Sequence, residues 1–369
     1  MKKKILFLIN TLRDGGAEKI LVDIVNNLDA DKYEIEVKLI YKKGVYLDKI
    51  NSNVKLSFIT GKPGTFRSRI VARLLPRLSS KWLHRIFIRH KYDTEIAFLE
   101  GYATKIVAGA PKNTKKLAWV HCDLTKTEWI NGVFKTEKGY IDCYNKIDNV
   151  ISVSQAVQDA FIKRFGMITR LSVIYNPVRV DIIRERAREL IEVKPRDNYI
   201  TLVAIGRMTI PKNFQRLLKS VKRLTDQKYP IELWLLGDGE ERSSLEEYVK
   251  DNSLSNNVLF IGFVKNPYPY IKQANLFVCS SIYEGFSTAV TESLVIGTPV
   301  ITTDVAGMRE MLGDSEYGLI VPNDDKSFEQ GLKTLLDNPS RLLHYRQMAQ
   351  KRGDDFDFWE SIKKIESIL

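Results

Sequence analysis

Three cysteines are few for 369 residues, and Cys122, Cys143 and Cys279 are odd in number and widely spaced. That argues against a disulfide framework or a cysteine metal site and points to free thiols in a reducing compartment. No apolar run approaches the roughly 20 residues that cross a bilayer. The opening MKKKILFLINTLRDGG begins like a basic secretory leader. Its run ILFLI is too short for an apolar leader core, and a Gly-rich turn replaces the cleavage site, so it reads as a buried first strand. A G-x-G-x-x-G after that strand, with an acidic residue about 20 positions on, is also missing, which speaks against a nicotinamide oxidoreductase. With four histidines in all, no His/Cys/carboxylate cluster has metal-ligand spacing. Asp355-Phe356-Asp357 is a D-x-D, but it precedes a C-terminal helical stretch and reads as helix N-terminal charge. Low-complexity segments and short repeats are absent.

One stretch has no acid at all. KPGTFRSRIVARLLPRLSSKWLHRIFIRHK (62–91) carries nine Lys/Arg. Arg69, Arg73, Arg77, Lys81, Arg85 and Arg89 step by four, interleaved with Ile70, Leu74, Leu78, Trp82, Ile86 and Phe87. Helical segments broken at Pro76 would set an apolar stripe beside a basic one, as suits an anionic membrane surface or an anionic acceptor. An ordinary surface helix pair with its apolar side in the core is the plainer reading. The charge is lopsided on the larger scale too: residues 1–180 hold 32 Lys/Arg against 17 Asp/Glu, hence +15, and the remainder 25 against 28, hence −3. The N-terminal half therefore expects an anionic partner, and without a base-reading or stacking module that partner is not a nucleic acid.

What is present is a βα pattern stated twice. KKILFLIN, the loop TLRDGGAEK, the helical AEKILVDIVNNL and the alternating YEIEVKLIY give β–loop–α–β, the mark of a parallel sheet covered by helices. TEIAFLE, KLAWVH, NVISVS and RLSVIYN continue the series. After NPVRVD it restarts with YITLVAIGR, PIELWLLGDG, NVLFIGFV, NLFVCSS and GLIVP. At this length two α/β domains follow, 1–180 and 181–349, with 350–369 packing back on the first as a helix through Phe358, Trp359 and Ile362. Two doubly wound domains present ligand loops at the carboxyl ends of their strands, toward a central cleft.

Three such loops can carry chemistry. In YEGFSTAVTESLVIGTPVIT (283–302), Glu284 and Glu292 stand eight residues apart across a small-residue turn that opens a helix. Backbone N–H groups from Phe286, Ser287, Thr288 and Ala289 make an anion site there, and Gly285 allows close approach. Carboxylates beside such a site suit sugar hydroxyls: Glu292 those of a ribose, Glu284 those of a second sugar. The bland alternative makes Glu284 a dipole partner and Glu292 a surface residue. AIGRMTIPKNF (204–214) carries Gly206, with Arg207 and Lys212 as two cations able to neutralise a departing diphosphate. Two solvated loop cations are the plainer version. Gly15-Gly16 in TLRDGGAEK allows an unusual backbone path into a helix, and GDGEER (237–242) reads as a structural turn. His121, at the end of an apolar run, is a polar contact or proton handler, or simply a satisfied histidine.

Taken in order, NTLRDGGAEK, ISVSQAV, YNPVRVD, IGRM…PKNF, LLGDGEER, IGFVKNPYPYIKQANLFVCSSIYEGFSTAVTESLVIGTPVIT and VAGMREML resemble the retaining glycosyltransferases of family 4, of GT-B fold. The resemblance runs over nearly the whole chain and is weakest at 45–95. It implies Glu292 on the ribose and Glu284 on the donor sugar. Phe286, Ser287 and Thr288 would lie near the phosphates, Arg207 and Lys212 on the diphosphate, Gly16 (with Gly15) against donor phosphate or sugar, His121 near the transferred sugar, and Phe263 and Val264 against the base. It further implies no metal or other cofactor, the nucleotide sugar being a substrate. The expected activity moves a hexosyl or N-acetylhexosaminyl group from a UDP-sugar to a lipid-linked or growing surface glycan, at the cytoplasmic face of the membrane. A carboxylate nucleophile, as retaining glycosidases use, is not evident in the N-terminal loops, so front-face attack is expected. The rivals are a GT-B epimerase, a phosphorylase (for which no pyridoxal phosphate lysine is placed) and a non-catalytic basic membrane adaptor.

Overall fold

KKILFLI forms β1 (Lys3–Ile9), and the helix Gly16–Asn27 returns the chain so that β2 (Tyr33–Tyr41) runs parallel to it, Lys3 opposite Tyr33 and Ile9 opposite Leu39. A crossover of that length is what parallel pairing requires. In the computed structural model, which describes residues 1–127, 130–134, 136–167 and 170–369, such steps recur along the chain, although the crossover from β2 to the next strand holds only the 3-10 turn Leu47–Lys49. The chain divides into two units, Met1–Pro177 with Trp359–Leu369, and Val178–Phe358.

The first unit continues with β3 (Lys55–Thr60), β4 (Thr94–Ala97), β5 (Lys115–Val120), β6 (Asn149–Ser152) and β7 (Leu171–Val173), in the order β3-β2-β1-β4-β5-β6-β7. The second holds β8 (Ile200–Ile205), β9 (Ile231–Leu236), β10 (Val258–Gly262), β11 (Leu276–Cys279), β12 (Val300–Thr303) and β13 (Leu319–Val321), in the order β10-β9-β8-β11-β12-β13. All recorded pairings are parallel. Strands such as LFLI and LWLL are buried on both faces and so read as continuous apolar runs. In each sheet the order reverses once, between β1 and β4 and between β8 and β11. Those are the switch points where loops diverge and leave a crevice.

Two expectations need correction. The basic segment breaks two residues beyond Pro76: the helices are Phe66–Arg77 and Ser80–Phe87, with the Thr65 and Ser79 hydroxyls accepting from Ser68 N–H (3.3 Å) and Trp82 N–H (3.4 Å) as caps. Pro76 is tolerated in a last turn whose carbonyls find another donor. Lys105, 4% exposed, sends its ammonium to Leu75 O (2.9 Å), Pro76 O (3.2 Å) and Val133 O (3.0 Å). The C-terminal return is also shorter than 350–369. Residues through Asp354 complete the helix Pro339–Asp354 of the second unit, Asp355 caps it, and the final helix is Phe358–Ser367. Ile362, Ile365 and Leu369 bury, whereas Trp359 stays 57% exposed. Leu369 O accepts from Lys3 Nζ (2.5 Å) and Thr94 Oγ1 (2.8 Å), which fastens the chain end to the first sheet.

Between β2 and β3 lies a buried carboxylate, Glu36, held by Lys55 Nζ (2.7 Å), Lys38 Nζ (2.9 Å), Ser57 Oγ (2.5 Å) and Tyr92 OH (2.9 Å). Burial alone would raise its pKa. The four donors outweigh that and bring it down to about 2. A carboxyl lowered on folding stabilises the fold above its unfolded pKa, and that share is lost as pH falls from about 4.5 toward 2. Glu36→Gln is therefore expected to cost up to about 3 kcal/mol at neutral pH, and the gap from wild type should close in acid. Urea melts of both proteins between pH 7 and pH 3 check this.

Candidate active site

The loop after β8 and the loop after β11 flank the second unit's switch point, and a partly buried ion pair joins them. Lys212 Nζ lies 2.6 Å from Glu284 Oε1, and Ser281 Oγ donates to the same oxygen at 2.6 Å. Burial works against the Lys212 charge, but Glu284 outweighs it and raises the ammonium's pKa, so the cation is kept. The backbone fixes the two loops as well: Ser280 Oγ donates to Lys212 O (2.9 Å), and Ile282 N–H to Pro211 O (2.7 Å). Asn213 takes a left-handed conformation (φ 47°) and caps the next helix through Arg216 N–H. Arg207 projects from this loop as an exposed cation. Lys212 thus keeps its charge beside a carboxylate at the loop's end.

Glycine lets four strand-end loops close up here. A Cβ on Gly237 (φ 121°), after β9, would stand 2.1 Å from Gly206 O, after β8. One on Gly307 (φ 78°), after β12, would stand 2.3 Å from Gly285 O, after β11. No side chain fits at either contact, so the loops meet backbone to backbone. Gly237 in GDGEER is in that sense structural.

The helix Thr288–Ile296 starts where Ser287 Oγ accepts from Val290 N–H (3.4 Å) and ends at left-handed Gly297 (φ 83°). Its first turn, with Phe286 and Ser287 buried and Thr288 partly so, presents the positive end of the helix beside Glu284. Glu292 is no surface residue: it is 8% exposed, and buried Tyr268 donates to its Oε1 at 3.3 Å. Phe263 is exposed and Val264 half-buried on the loop after β10, next in line along the sheet.

In the first unit, Gly15 caps the helix Gly16–Asn27, and the Glu18 carboxylate folds over it, so close that a Cβ on Gly15 would meet Oε2 at 2.1 Å. An anion reaching Gly16 competes with that carboxylate. His121 ends β5 at the switch side of the sheet, its ring 4.9 Å from Phe98. Burial pushes its pKa down to about 4, so the imidazole is neutral at pH 7. The sequence reading passed over Glu100. Fully buried after β4, it accepts from the N–H groups of His121 and Cys122 on one oxygen, and burial raises its pKa. It is locked into the turn that carries His121. Arg69, Arg73, Arg77, Lys81, Arg85 and Arg89 are all exposed, and Arg85 lies over the exposed Trp82 ring at 5.7 Å. Among the described residues no group of three or more His, Cys, Asp or Glu could hold a metal ion, and no helix is long and apolar enough to cross a membrane.

The family model described as glycosyl transferases group 1 matches residues 186–352, which is most of the second unit. Over 366 residues, 96% of each chain, the sequence is 28% identical to an N-acetylgalactosamine-N,N'-diacetylbacillosaminyl-diphospho-undecaprenol 4-alpha-N-acetylgalactosaminyltransferase of Campylobacter jejuni. It is 28% identical over 335 residues, 89% of this chain and 88% of the relative, to the lipopolysaccharide core biosynthesis glycosyltransferase LpsE of Rhizobium meliloti. Among solved structures it is similar to Anabaena HepE in complex with UDP-glucose (TM-score 0.77, 20% identity, 99% and 100% of the two chains). A second is the sucrose-phosphate synthase of Thermosynechococcus elongatus (TM-score 0.80, 17% identity, 99% and 98%). At those identities the structures establish the fold, which is GT-B. Fold, matched segment and relatives together support a glycosyltransferase of the GT-B fold.

Proposed function

We propose that this chain is a retaining, metal-independent glycosyltransferase of family 4. It transfers a hexosyl or N-acetylhexosaminyl group from a UDP-sugar to a lipid-linked surface glycan at the cytoplasmic face of the membrane. The observation that carries the reading is the Lys212–Glu284 pair at the β8/β11 switch point. It sets a retained cation and a hydroxyl-accepting carboxylate side by side, next to a helix N-terminus. That is the chemistry a sugar diphosphate presents: anionic at one end of the anomeric bond, polyhydroxylated at the other.

In this reading Arg207 and Lys212 bind the diphosphate, Glu284 the donor sugar, Glu292 the ribose, and Phe263 and Val264 the base. The bond from the anomeric carbon to the diphosphate oxygen breaks, and its electron pair leaves with the diphosphate. The acceptor oxygen bonds to the same carbon from the same face, and its proton passes to the departing diphosphate. Lys212 and Arg207 offset the charge that builds there, the task a metal performs elsewhere. Glu100 fits no nucleophilic role, because it is fully buried and one oxygen is already engaged by backbone amides. His121, neutral, hydrogen-bonds the transferred sugar. The lipid-linked acceptor follows from similarity to the Campylobacter enzyme, whose name specifies an undecaprenol diphosphate glycan, and from the basic first half of the chain.

Incubation with a panel of nucleotide sugars and a polyprenyl diphosphate glycan tests this. UDP release with an α-linked product from an α-linked donor, undiminished by EDTA, is expected. Inverted product or loss of turnover in EDTA would refute the retaining or metal-independent part. Tyr268→Phe removes a donor to Glu292. It should weaken UDP binding roughly 3- to 10-fold, about what one ordinary hydrogen bond contributes. The preference for UDP over 2′-deoxy-UDP, read by calorimetry, should shrink with it.

A further inference from the structure

The helix Phe66–Arg77 does not spend all its apolar residues on the core. Val71 and Leu75 bury, but Arg67, Ile70, Val71 and Leu74, spaced i, i+3, i+4, i+7, line one side of an open groove of about 490 Å³. Phe58 and Ile59 of β3 and Ile86 and Phe87 from the second basic helix also line it. Arg67, Arg89 and His90 stand at the groove, and residues 62–91 supply no acid to answer them. Lys38, also at the groove, is already held by Glu36 at 2.9 Å. Beside the groove Phe66 is 79% and Trp82 56% exposed, as aromatic residues at a lipid–water boundary are.

We propose that this groove binds one anionic phospholipid of the bilayer, its phosphate on Arg67, Arg89 and His90 and the start of an acyl chain between Ile70, Leu74, Phe58 and Ile86. The proposal rests on the membrane-surface reading above but asks more of it. A basic stripe attracts a charged surface as a whole, whereas a groove lined in part by apolar side chains takes a single amphiphile. Charge complementarity selects the occupant. Three side chains that carry or can carry positive charge around an apolar recess suit a lipid phosphate, and a zwitterionic headgroup would bring a cation among them.

The full chain is titrated by calorimetry with phosphatidylglycerols of six- and eight-carbon chains, kept below their micelle concentrations. Short-chain phosphatidylcholine, glycerophosphoglycerol and a polyprenyl phosphate are run beside them. Sedimentation with phosphatidylglycerol vesicles is run in parallel. Saturable one-to-one binding is expected, tightening about 4-fold for each methylene the groove buries, with weak binding of phosphatidylcholine and none of the headgroup alone. Leu74→Glu should abolish monomer binding while leaving vesicle binding by the outer arginines within about 3-fold. Arg67→Ala with Arg89→Ala should remove the preference for phosphatidylglycerol. Vesicle binding without monomer binding would overturn the groove and leave the membrane reading standing. Failure to bind vesicles would overturn both, and UDP-sugar turnover is scored separately. Equal binding of phosphatidylcholine, or tighter binding of the polyprenyl phosphate, would overturn the assigned occupant.

Discussion

Lys212→Ala is expected to lower kcat for UDP-sugar turnover roughly 100- to 1,000-fold while raising the donor KM only a few-fold. The asymmetry follows from where charge develops. In the proposed complex the diphosphate is already anionic and Arg207 would share its neutralisation. During the proposed transfer an oxygen of that diphosphate gains a further negative charge, which Lys212, ordered on a Glu284 carboxylate that Ser281 holds in turn, would meet. Equal kcat with only a raised KM would show that the lysine serves binding alone. A second variant separates chemistry from folding. Removing the ammonium leaves Glu284, its side chain 11% exposed, without its cation, which is costly in itself. Lys212→Ala with Glu284→Gln should regain part of the lost thermal stability and none of the lost turnover.

Gly307→Ala should be nearly as damaging without touching a single polar group. Its φ of 78° disfavours a side chain, and the new methyl would sit 2.3 Å from Gly285 O and 3.3 Å from Phe286 Cα. Neither is the tip of a flexible side chain that can step aside. One loop must move, at a cost of about 2–4 kcal/mol. In a unit of this size that lowers Tm by roughly 5–15 °C. The movement falls on the Gly285–Ser287 turn, so UDP affinity should drop at least about 10-fold as well, each 1.4 kcal/mol being tenfold. Gly61→Ala, where a Cβ meets nothing within 4 Å, is the control and should leave both unchanged. A normal melt with intact UDP binding in Gly307→Ala would show that the two loops are not coupled.

The layout of the fold was legible where a short apolar run is followed by helical spacing, as in ILFLI followed by Ile20, Leu21, Ile24 and Val25. The spacing of Glu284 and Glu292 around a glycine turn was legible too, and so was a cationic loop after β8. What the sequence could not reveal is who holds whom. Lys212 and Glu284 are 72 positions apart, and only the adjacency of β8 and β11 brings them together. Tyr268 is hidden in YPYIKQA, where two tyrosines look equivalent until one hydroxyl is found on Glu292. Glu100 looked like the polar end of a strand, and burial alone distinguishes it from a solvated one. The break after the first basic helix was misjudged because Pro76 invites a break at its own position, whereas Ser79 supplies the cap that begins the next helix. Trp359 invited burial by its size, yet the final helix turns Ile362 and Ile365 inward instead.

Lys105 grips main-chain oxygens that every amino acid possesses. Its hold on the end of the first basic helix is therefore indifferent to which residues occupy that helix's outer surface. A substitution on that outer surface can leave the helix fastened to the body that carries it.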